Sequence, residues 1–207
     1  MVKIVVINGA PGAGKDKFVE LCASIAHPSN LIHNFSTVDK VKEIARIAGW
    51  NGEKTPEARK FLSDLKRIFI EWNDLPMIEL EKRYKRIEDN IKVRNNLRDD
   101  KEFGVSIYSY VDIIYGPFGP TSEYETGAVL FVHCRESEEI KKIVDKYNAI
   151  TLLIRRETAE NNETSNSSDS EIFDYDYNFT IDNNFDIINL KEKAKNFLRE
   201  IGMRVRE

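Results

Sequence analysis

The stretch VKIVVINGAPGAGKD, residues 2–16, decides how the rest of the chain is interpreted. Its first part, residues 2–7, is apolar except for Lys3 and rich in β-branched side chains, which is typical of a strand buried on both faces. The pair Asn8-Gly9 ends that strand. Residues 16–26 carry apolar side chains on one helical face, and Pro28 closes the predicted helix. The order is therefore strand, glycine-rich turn and helix.

The turn between strand and helix has the spacing G-x-x-x-x-G-K. Glycines allow such a loop to point its backbone N–H groups inward around phosphate oxygens. The following helix directs its partly positive N-terminus at the same anion, and Lys15 adds a point charge for the β and γ phosphates of ATP. Glycine-rich turns also occur without nucleotides, but the flanking strand and helix favour a phosphate-binding loop. The predicted contacts are Gly9, Ala10, Pro11, Gly12, Ala13, Gly14, Lys15 and Asp16.

Asp16 stands where serine or threonine is usual in this motif. A carboxylate beside bound triphosphate is repelled unless a metal lies between them, and carboxylate oxygens are good ligands for Mg²⁺. A second acid is expected at the end of a neighbouring strand, but the apolar run 128–132 leads into His133-Cys134. We therefore expect Asp16 to supply the carboxylate. Asp39 is a second metal candidate, although an acid at a helix start also suits the helix dipole.

Further apolar runs alternate with helical patterns along the chain. Strands are predicted at 31–35, 128–132, 150–154 and 179–181, and helices at 38–48, 56–71, 77–97, 137–146 and 185–201. Because the strands are apolar without alternation, we expect a mostly parallel sheet covered on both faces. The predicted fold class is α/β: a three-layer P-loop NTPase fold with a mostly parallel central sheet and helices on both faces.

Composition limits the classes of protein. The 207 residues fit one domain, and a hydrophobic content of 41% argues against general disorder. The formal net charge of −4 argues against a protein that coats nucleic acid. No apolar run approaches the roughly 20 residues of a membrane helix and no signal peptide is visible, so we expect a cytoplasmic protein without a membrane partner. Cys22 and Cys134 are expected to be core residues.

The loop Gly12-Ala13-Gly14-Lys15-Asp16 resembles that of phage-type deoxynucleoside monophosphate kinases, and animal phosphomevalonate kinases have a similar Gly-Lys-Asp loop. Arg135-Glu136, after a strand and before an acidic helix start, resembles a segment of the first family. The resemblance covers residues 1–25 well and residues 128–156 loosely. It implies a P-loop kinase fold and phosphoryl transfer from ATP to a small phosphorylated acceptor, without naming that acceptor.

Three arginines are candidates for catalysis beside Lys15. Phosphoryl transfer requires positive charge around the moving group. Arg135, Arg155 and Arg156 each follow a predicted strand, and ligands bind at the carboxyl ends of parallel strands. We therefore expect these arginines at the site; for Arg155 and Arg156 a solvated pair at a strand end is an equal alternative.

The acceptor is expected after the second strand. Thr37, Lys42 and Arg59 are the candidates there, against the alternative that they are ordinary residues of a helix surface. His33 and His133 are histidines in apolar surroundings and are interpreted as core residues.

These observations favour an ATP- and Mg²⁺-dependent kinase for a (deoxy)nucleoside monophosphate. The alternatives are a kinase for a non-nucleotide acceptor such as phosphomevalonate, and a nucleotide-binding module without transfer activity. We expect one kinase domain over residues 1–207, with a helical and aromatic insertion at about 50–127. The polar stretch 157–171 is interpreted as a lid, against a surface insertion. Helix 77–97 has a narrow apolar seam that either packs on its own domain or forms a homodimer.

Overall fold

The structure of the chain, a computed structural model, describes residues 1–99, 125–160 and 171–206. Its strands are β1 Val2–Asn8, β2 Asn30–Ser36, β3 Gly127–His133, β4 Ile150–Arg155 and β5 Phe179–Asp182. They form one sheet in the order β2-β3-β1-β4-β5, and every neighbouring pair is parallel. The strand that precedes the glycine loop therefore lies at the centre of the sheet.

The described helices are α1 Lys15–Ile25, α2 Asp39–Ile47, α3 Pro56–Asn73, α4 Leu75–Asp99, α5 Ser137–Tyr147, the single turn α6 Glu157–Glu160 and α7 Ile187–Glu200. Two of them begin at side-chain caps. The Thr55 hydroxyl accepts a hydrogen bond from the backbone N–H of Ala58 at the start of α3, and the Asp186 carboxylate accepts one from Asn189 at the start of α7.

Alternate residues of β1 face opposite sides of the sheet and build two cores. Val5 and Ile7 pack in one core with α1 and α7. Ile4 and Val6 pack in the other core with α4 and α5. Both faces of the parallel sheet are thus covered by helices, and the predicted three-layer α/β fold is confirmed.

Three strands end at the same level at the carboxyl edge of the sheet. Ile7 of β1 pairs with His133 of β3, which pairs in turn with Ser36 of β2. From β1 the chain continues into α1 on one face, and from β3 it continues into α5 on the other face. The loops after β1 and β3 therefore part at a switch point, which is where parallel α/β sheets bind ligands.

The apolar seam of α4 packs on its own chain. Met77, Leu80, Ile87 and Ile91 are buried in the core that contains Ile4 and Val6 of β1. Homodimerisation through this helix stays a prediction, and it would have to use another face of α4.

Helix α3 departs from the sequence-based expectation. The spacing of its apolar residues Phe61, Leu65, Ile68 and Phe69 predicts one inward-facing side, but Phe61 and Ile68 are exposed and the other two are only half-buried. The buried side chain on this stretch is instead that of Lys66, at 7% exposure. A charged residue thus takes the place where an apolar contact was expected.

Two acids explain the burial of Lys66. Its Nζ donates to Glu139 Oε2 at 2.8 Å and also to Glu136 Oε2. Glu139 Oε2 accepts further hydrogen bonds from the Cys134 thiol at 2.8 Å and the Thr37 hydroxyl at 3.2 Å. Burial disfavours the ammonium, but the two carboxylates outweigh it, and the pKa of Lys66 is raised. The ion pair therefore fastens α3 to the segment that follows β3.

Parts of the sequence-based expectations lie outside the described residues. These are residues 100–124 of the predicted insertion and residues 161–170 of the predicted lid. Among the described helices, none combines the length and the apolar character needed to cross a membrane.

The first prediction concerns Lys66. We expect Lys66→Ala to lower the free energy of unfolding by about 3–5 kcal/mol, because Glu139 is left buried without its counter-charge. The double variant Lys66→Met/Glu139→Gln is expected to recover much of the loss, since it removes both buried charges. Urea unfolding followed by circular dichroism measures both effects.

The matched control is Lys60→Ala on the same helix. Lys60 pairs with Asp64 on the exposed face, so its loss should leave the urea midpoint nearly unchanged. Equal destabilisation by the two single variants would show that the buried pair is not what fastens α3.

Candidate functional site

The glycine loop after β1 has a backbone that only glycine tolerates at two tight points. Gly9 has a φ of 145°, and a Cβ there would lie 2.3 Å from the carbonyl oxygen of Ile154 in β4. Gly14 has a φ of 97°, and a Cβ there would lie 2.4 Å from Nδ2 of Asn183. The loop is therefore held closely against the ends of β4 and β5.

Asn8, the last residue of β1, is fully buried and fixes the start of the loop. Its Oδ1 accepts the backbone N–H of Gly9 at 2.8 Å. Its Nδ2 donates to the hydroxyl of Tyr177 at 2.8 Å and to the carbonyl of Arg135 at 3.4 Å. One side-chain amide thus joins the loop after β1, the loop after β3 and the segment before β5.

Lys15, the first residue of α1, reaches back across the loop. Its Nζ donates to the carbonyl oxygens of Gly9 at 2.5 Å and Ala10 at 3.0 Å. The ammonium therefore lies against the loop itself and brings a positive charge to the N-terminal end of α1, as the G-x-x-x-x-G-K spacing predicts.

Two neighbours brace the loop from the side of β4 and β5. Asn183 Nδ2 donates to the carbonyl of Ala13 at 2.8 Å, and the backbone N–H of Asn183 donates to Arg155 at 2.7 Å. The single turn α6 places buried Ala159 next to Gly12. The stretch expected as a lid therefore begins with a turn that is packed, because Ala159 belongs to the core under the loop.

His133 lies at the mouth of the loop, and its interpretation as a core residue is incomplete. Its Nε2 is 3.6 Å from Asp16 Oδ1, and that nitrogen is buried without a hydrogen-bond partner among the described residues. Burial lowers the pKa of His133; Asp16 and Asp39 act against this effect, and Lys15 and Lys42 add to it. Four charged groups singled out in the sequence thus act electrostatically on one imidazole.

The two metal candidates occur in this same group. Asp16 is in the first turn of α1, and its side chain is 83% exposed. Asp39 begins α2, and one of its oxygens, Oδ2, accepts the backbone N–H of Ser36 at 2.9 Å. Accessible carboxylate oxygens next to a phosphate-binding loop are the ligands that Mg²⁺ prefers, so these donors fit that ion.

A different trio can be set aside as a metal site. Cys134, Glu136 and Glu139 bring one possible ligand atom each to within 4.8 Å of one another. The ammonium of Lys66 already contacts both carboxylates and supplies the positive charge there. Burial also raises the pKa of the Cys134 thiol, which keeps it protonated.

The structure places the three arginines at strand ends around the loop. Arg135 is the second residue after β3, and its backbone carbonyl accepts a hydrogen bond from the buried side-chain amide of Asn8. Arg155 ends β4 and forms a two-point contact with Glu160, through Nε at 3.0 Å and Nη2 at 2.8 Å. Arg156 is exposed, and its carbonyl accepts the N–H groups of Ala159 and Glu160. Of the three, Arg135 is the one on the loop after β3, which flanks the switch point.

The acceptor candidates are in three different settings. Thr37 is buried, and its hydroxyl is engaged by Glu139 and by the carbonyl of His133, so this geometry disfavours direct contact with an acceptor. Lys42 is half-buried on α2 and belongs to the charges around His133. Arg59 is exposed on the first turns of α3. Of these, Lys42 is the residue whose charge acts on His133.

Sequence reasoning missed Asn8, Tyr177 and Asn183 as supports of the loop. Asn8 was interpreted only as the end of a strand, and the other two lie 169 and 170 positions from their partners. A polar residue at the end of an apolar strand was the available signal for Asn8 and for His133. The signal for Tyr177 and Asn183 is the sheet order, which the sequence does not specify.

Comparisons with known proteins add little. The chain matches no protein-family model and no curated protein. Among solved structures it is similar to the tunicamycin resistance protein of Deinococcus radiodurans, with 10% sequence identity, coverage of 100% of this chain and 99% of that chain, and a TM-score of 0.44. A likeness at this level carries no argument about activity, which leaves the chain's own residues to support a function.

Proposed function

We propose that the chain is a P-loop kinase that transfers a phosphoryl group from ATP to a small phosphorylated acceptor, namely a (deoxy)nucleoside monophosphate. The observation that carries the proposal is the loop from Gly9 to Lys15. It connects the central strand of a parallel sheet to the N-terminus of α1, with a lysine ammonium across it. A glycine loop, a helix N-terminus and an ammonium together favour the binding of a polyphosphate.

Lys15 is proposed to exchange partners when ATP binds. In the structure its ammonium donates to two loop carbonyls, which are weaker acceptors than phosphate oxygens. The β and γ phosphates would replace these carbonyls as acceptors. The loop needs little reorganisation, because Asn8 and Asn183 already fix both of its ends.

Asp16 and Asp39 are proposed to hold Mg²⁺ beside the phosphates. When bound, the ion would neutralise charge that develops on the transferred phosphoryl group. The contribution of the chain is to present an exposed carboxylate at the first turn of α1 and a second one at the start of α2.

Arg135 and Arg155 are proposed to stabilise the transition state, with Arg156 as a further candidate. Charge spreads over the oxygens of the moving group, so cations that meet it there lower the barrier. Arg155 would first have to leave Glu160, which holds it in the free chain. An acceptor that is already a phosphate requires no general base. The described residues would mainly position the two substrates and neutralise the charge on their phosphates.

The nature of the acceptor rests on the resemblance of Gly12 to Asp16 and not on the geometry. Lys42 is the proposed acceptor contact, since it belongs to the charged group around His133. Arg59 stays a weaker candidate on the exposed surface of α3.

A panel assay tests the function. ADP release is measured with ATP and Mg²⁺ across nucleoside monophosphates and small phosphorylated acids. ADP release that depends on one nucleoside monophosphate supports the proposal. ADP release that depends on a phosphorylated acid such as phosphomevalonate would show that the acceptor is that acid and not a nucleotide. Tight ATP binding with no acceptor-dependent release would identify a nucleotide-binding module instead.

The second prediction concerns Lys15. We expect Lys15→Ala to lower the rate of transfer by about 10²–10³-fold, because a donor aimed at the phosphates is lost. The adjacent Lys17 is the control, since it is exposed and pairs with Glu20. Lys17→Ala should keep the parental rate, and thermal melting should show both variants folded. A parental rate in Lys15→Ala would end the kinase proposal for this loop.

The third prediction concerns Arg135. Arg135→Ala is expected to lower kcat and kcat/KM together, by about 10²-fold, because the guanidinium meets charge that is present only in the transition state. The truncation keeps the backbone carbonyl that Asn8 uses. Lys141→Ala, on the exposed face of α5, is the charge-matched control. An increase of KM at constant kcat would assign Arg135 to ground-state binding.

A further inference from the structure

His133 is fixed in place by its backbone. As the last residue of β3 it pairs with Ile7 on one side and Ser36 on the other. Its carbonyl oxygen accepts the N–H of Thr37 at 3.2 Å and the Thr37 hydroxyl at 3.4 Å. The imidazole is therefore held at one level between the glycine loop and the start of α2.

The imidazole points a buried nitrogen at an exposed carboxylate. Nε2 of His133 has no hydrogen-bond partner among the described residues, and the atom it faces is Asp16 Oδ1 at 3.6 Å. A buried polar atom without a partner costs free energy and calls for an explanation. Asp16 is exposed and has room to rotate, so a small side-chain movement closes the distance.

The imidazole of His133 can donate from Nε2. In a neutral ring either nitrogen can carry the hydrogen, and in a charged ring both nitrogens carry one. A carboxylate is only an acceptor. The tautomer that satisfies both groups has the hydrogen on Nε2.

We propose that His133 is the positioning residue of Asp16: its Nε2–H donates to one carboxylate oxygen and so orients the other toward Mg²⁺ at the nucleotide. The proposal rests on the proposed function and assigns a role to a strand end that lacks the expected acid. Hydrogen bonds to a metal-ligating carboxylate fix its direction and raise metal affinity. His133 acts through Asp16 and touches no reacting atom.

The experiment measures binding and not turnover. Calorimetry gives the affinity of the full chain for ADP in EDTA and again with saturating Mg²⁺, and the ratio is the magnesium enhancement. His133→Leu should reduce this enhancement by about 10-fold while the affinity in EDTA stays within about twofold. His133→Gln, whose amide N–H reaches nearly as far as Nε2, should keep most of the enhancement. His133→Asn, whose donor is too short, should behave like the leucine variant.

A buried histidine elsewhere in the sheet is the matched control. Nε2 of His33 in β2 is also buried and lacks a hydrogen-bond partner in the part of the chain that the structure describes. Burial lowers the pKa of His33 too, but its charged neighbours are Arg83 and Arg94 of α4. His33→Leu should leave the magnesium enhancement unchanged. If His133→Leu does not fold, the comparison of the glutamine and asparagine variants decides the question alone.

A double-mutant cycle connects His133 to Asp16. Asp16→Asn should remove most of the enhancement, and His133→Leu should then have no further effect. Full enhancement in His133→Leu, equal enhancement in the glutamine and asparagine variants, or additive losses in the cycle would each overturn the positioning role. If the unsubstituted protein binds no ADP, the proposed function is overturned. If it binds ADP but Mg²⁺ does not raise the affinity, Asp16 is not part of a metal site. The positioning role of His133 is wrong in both cases.

Discussion

The buried amide of Asn8 is the contact on which the candidate site depends. It lies at the end of the central strand, where no water can replace its hydrogen bonds. Its oxygen holds the first N–H of the glycine loop, and its nitrogen holds the loop after β3 and the hydroxyl of Tyr177. Because each partner belongs to a different part of the chain, the loop is shaped before any ligand arrives. A preorganised loop loses less entropy on binding phosphates than one that must close around them.

The parallel register then determines which side chains meet. With Ile7, His133 and Ser36 level, the residues just beyond them emerge at one edge of the sheet. The sheet order brings the ends of β4 and β5 to the other side of the loop, where the Asn183 side chain reaches Ala13. Glycine is required where the loop passes closest to β4, because a Cβ at Gly9 would overlap the backbone of that strand. Fold and loop thus constrain each other through backbone contacts that tolerate few substitutions.

The features that could be predicted from the sequence are those determined by residues close together in the chain. The mostly apolar run of β1, the spacing from Gly9 to Lys15 and the amphipathic helix after it are contained in 25 residues, and the fold class follows from repeating that pattern. His133 was interpreted as core because its surroundings in the sequence are apolar, and only the structure shows that its Nε2 faces Asp16 beside the loop. Lys66 was not foreseen at all, since its burial depends on two acids some 70 positions away. The apolar face of α3 was a misleading signal for the same reason: long-range charge pairing outweighed local hydrophobic pattern.

The distribution of acids near the end of β3 explains why Asp16 is left as the exposed carboxylate. Glu139 lies closer to the sheet, but it is buried and its oxygen accepts from Lys66, Thr37 and Cys134. Glu136 is held by the same ammonium. Carboxylates that are neutralised in this way stabilise the attachment of α3, and they would have to break an ion pair before they could bind a cation. Asp16 lies outside this buried set, with a side chain that is 83% exposed, and it faces the imidazole of His133. The structure thus separates two kinds of negative charge at one strand end: a buried set that attaches α3 and an exposed carboxylate that is accessible to a cation.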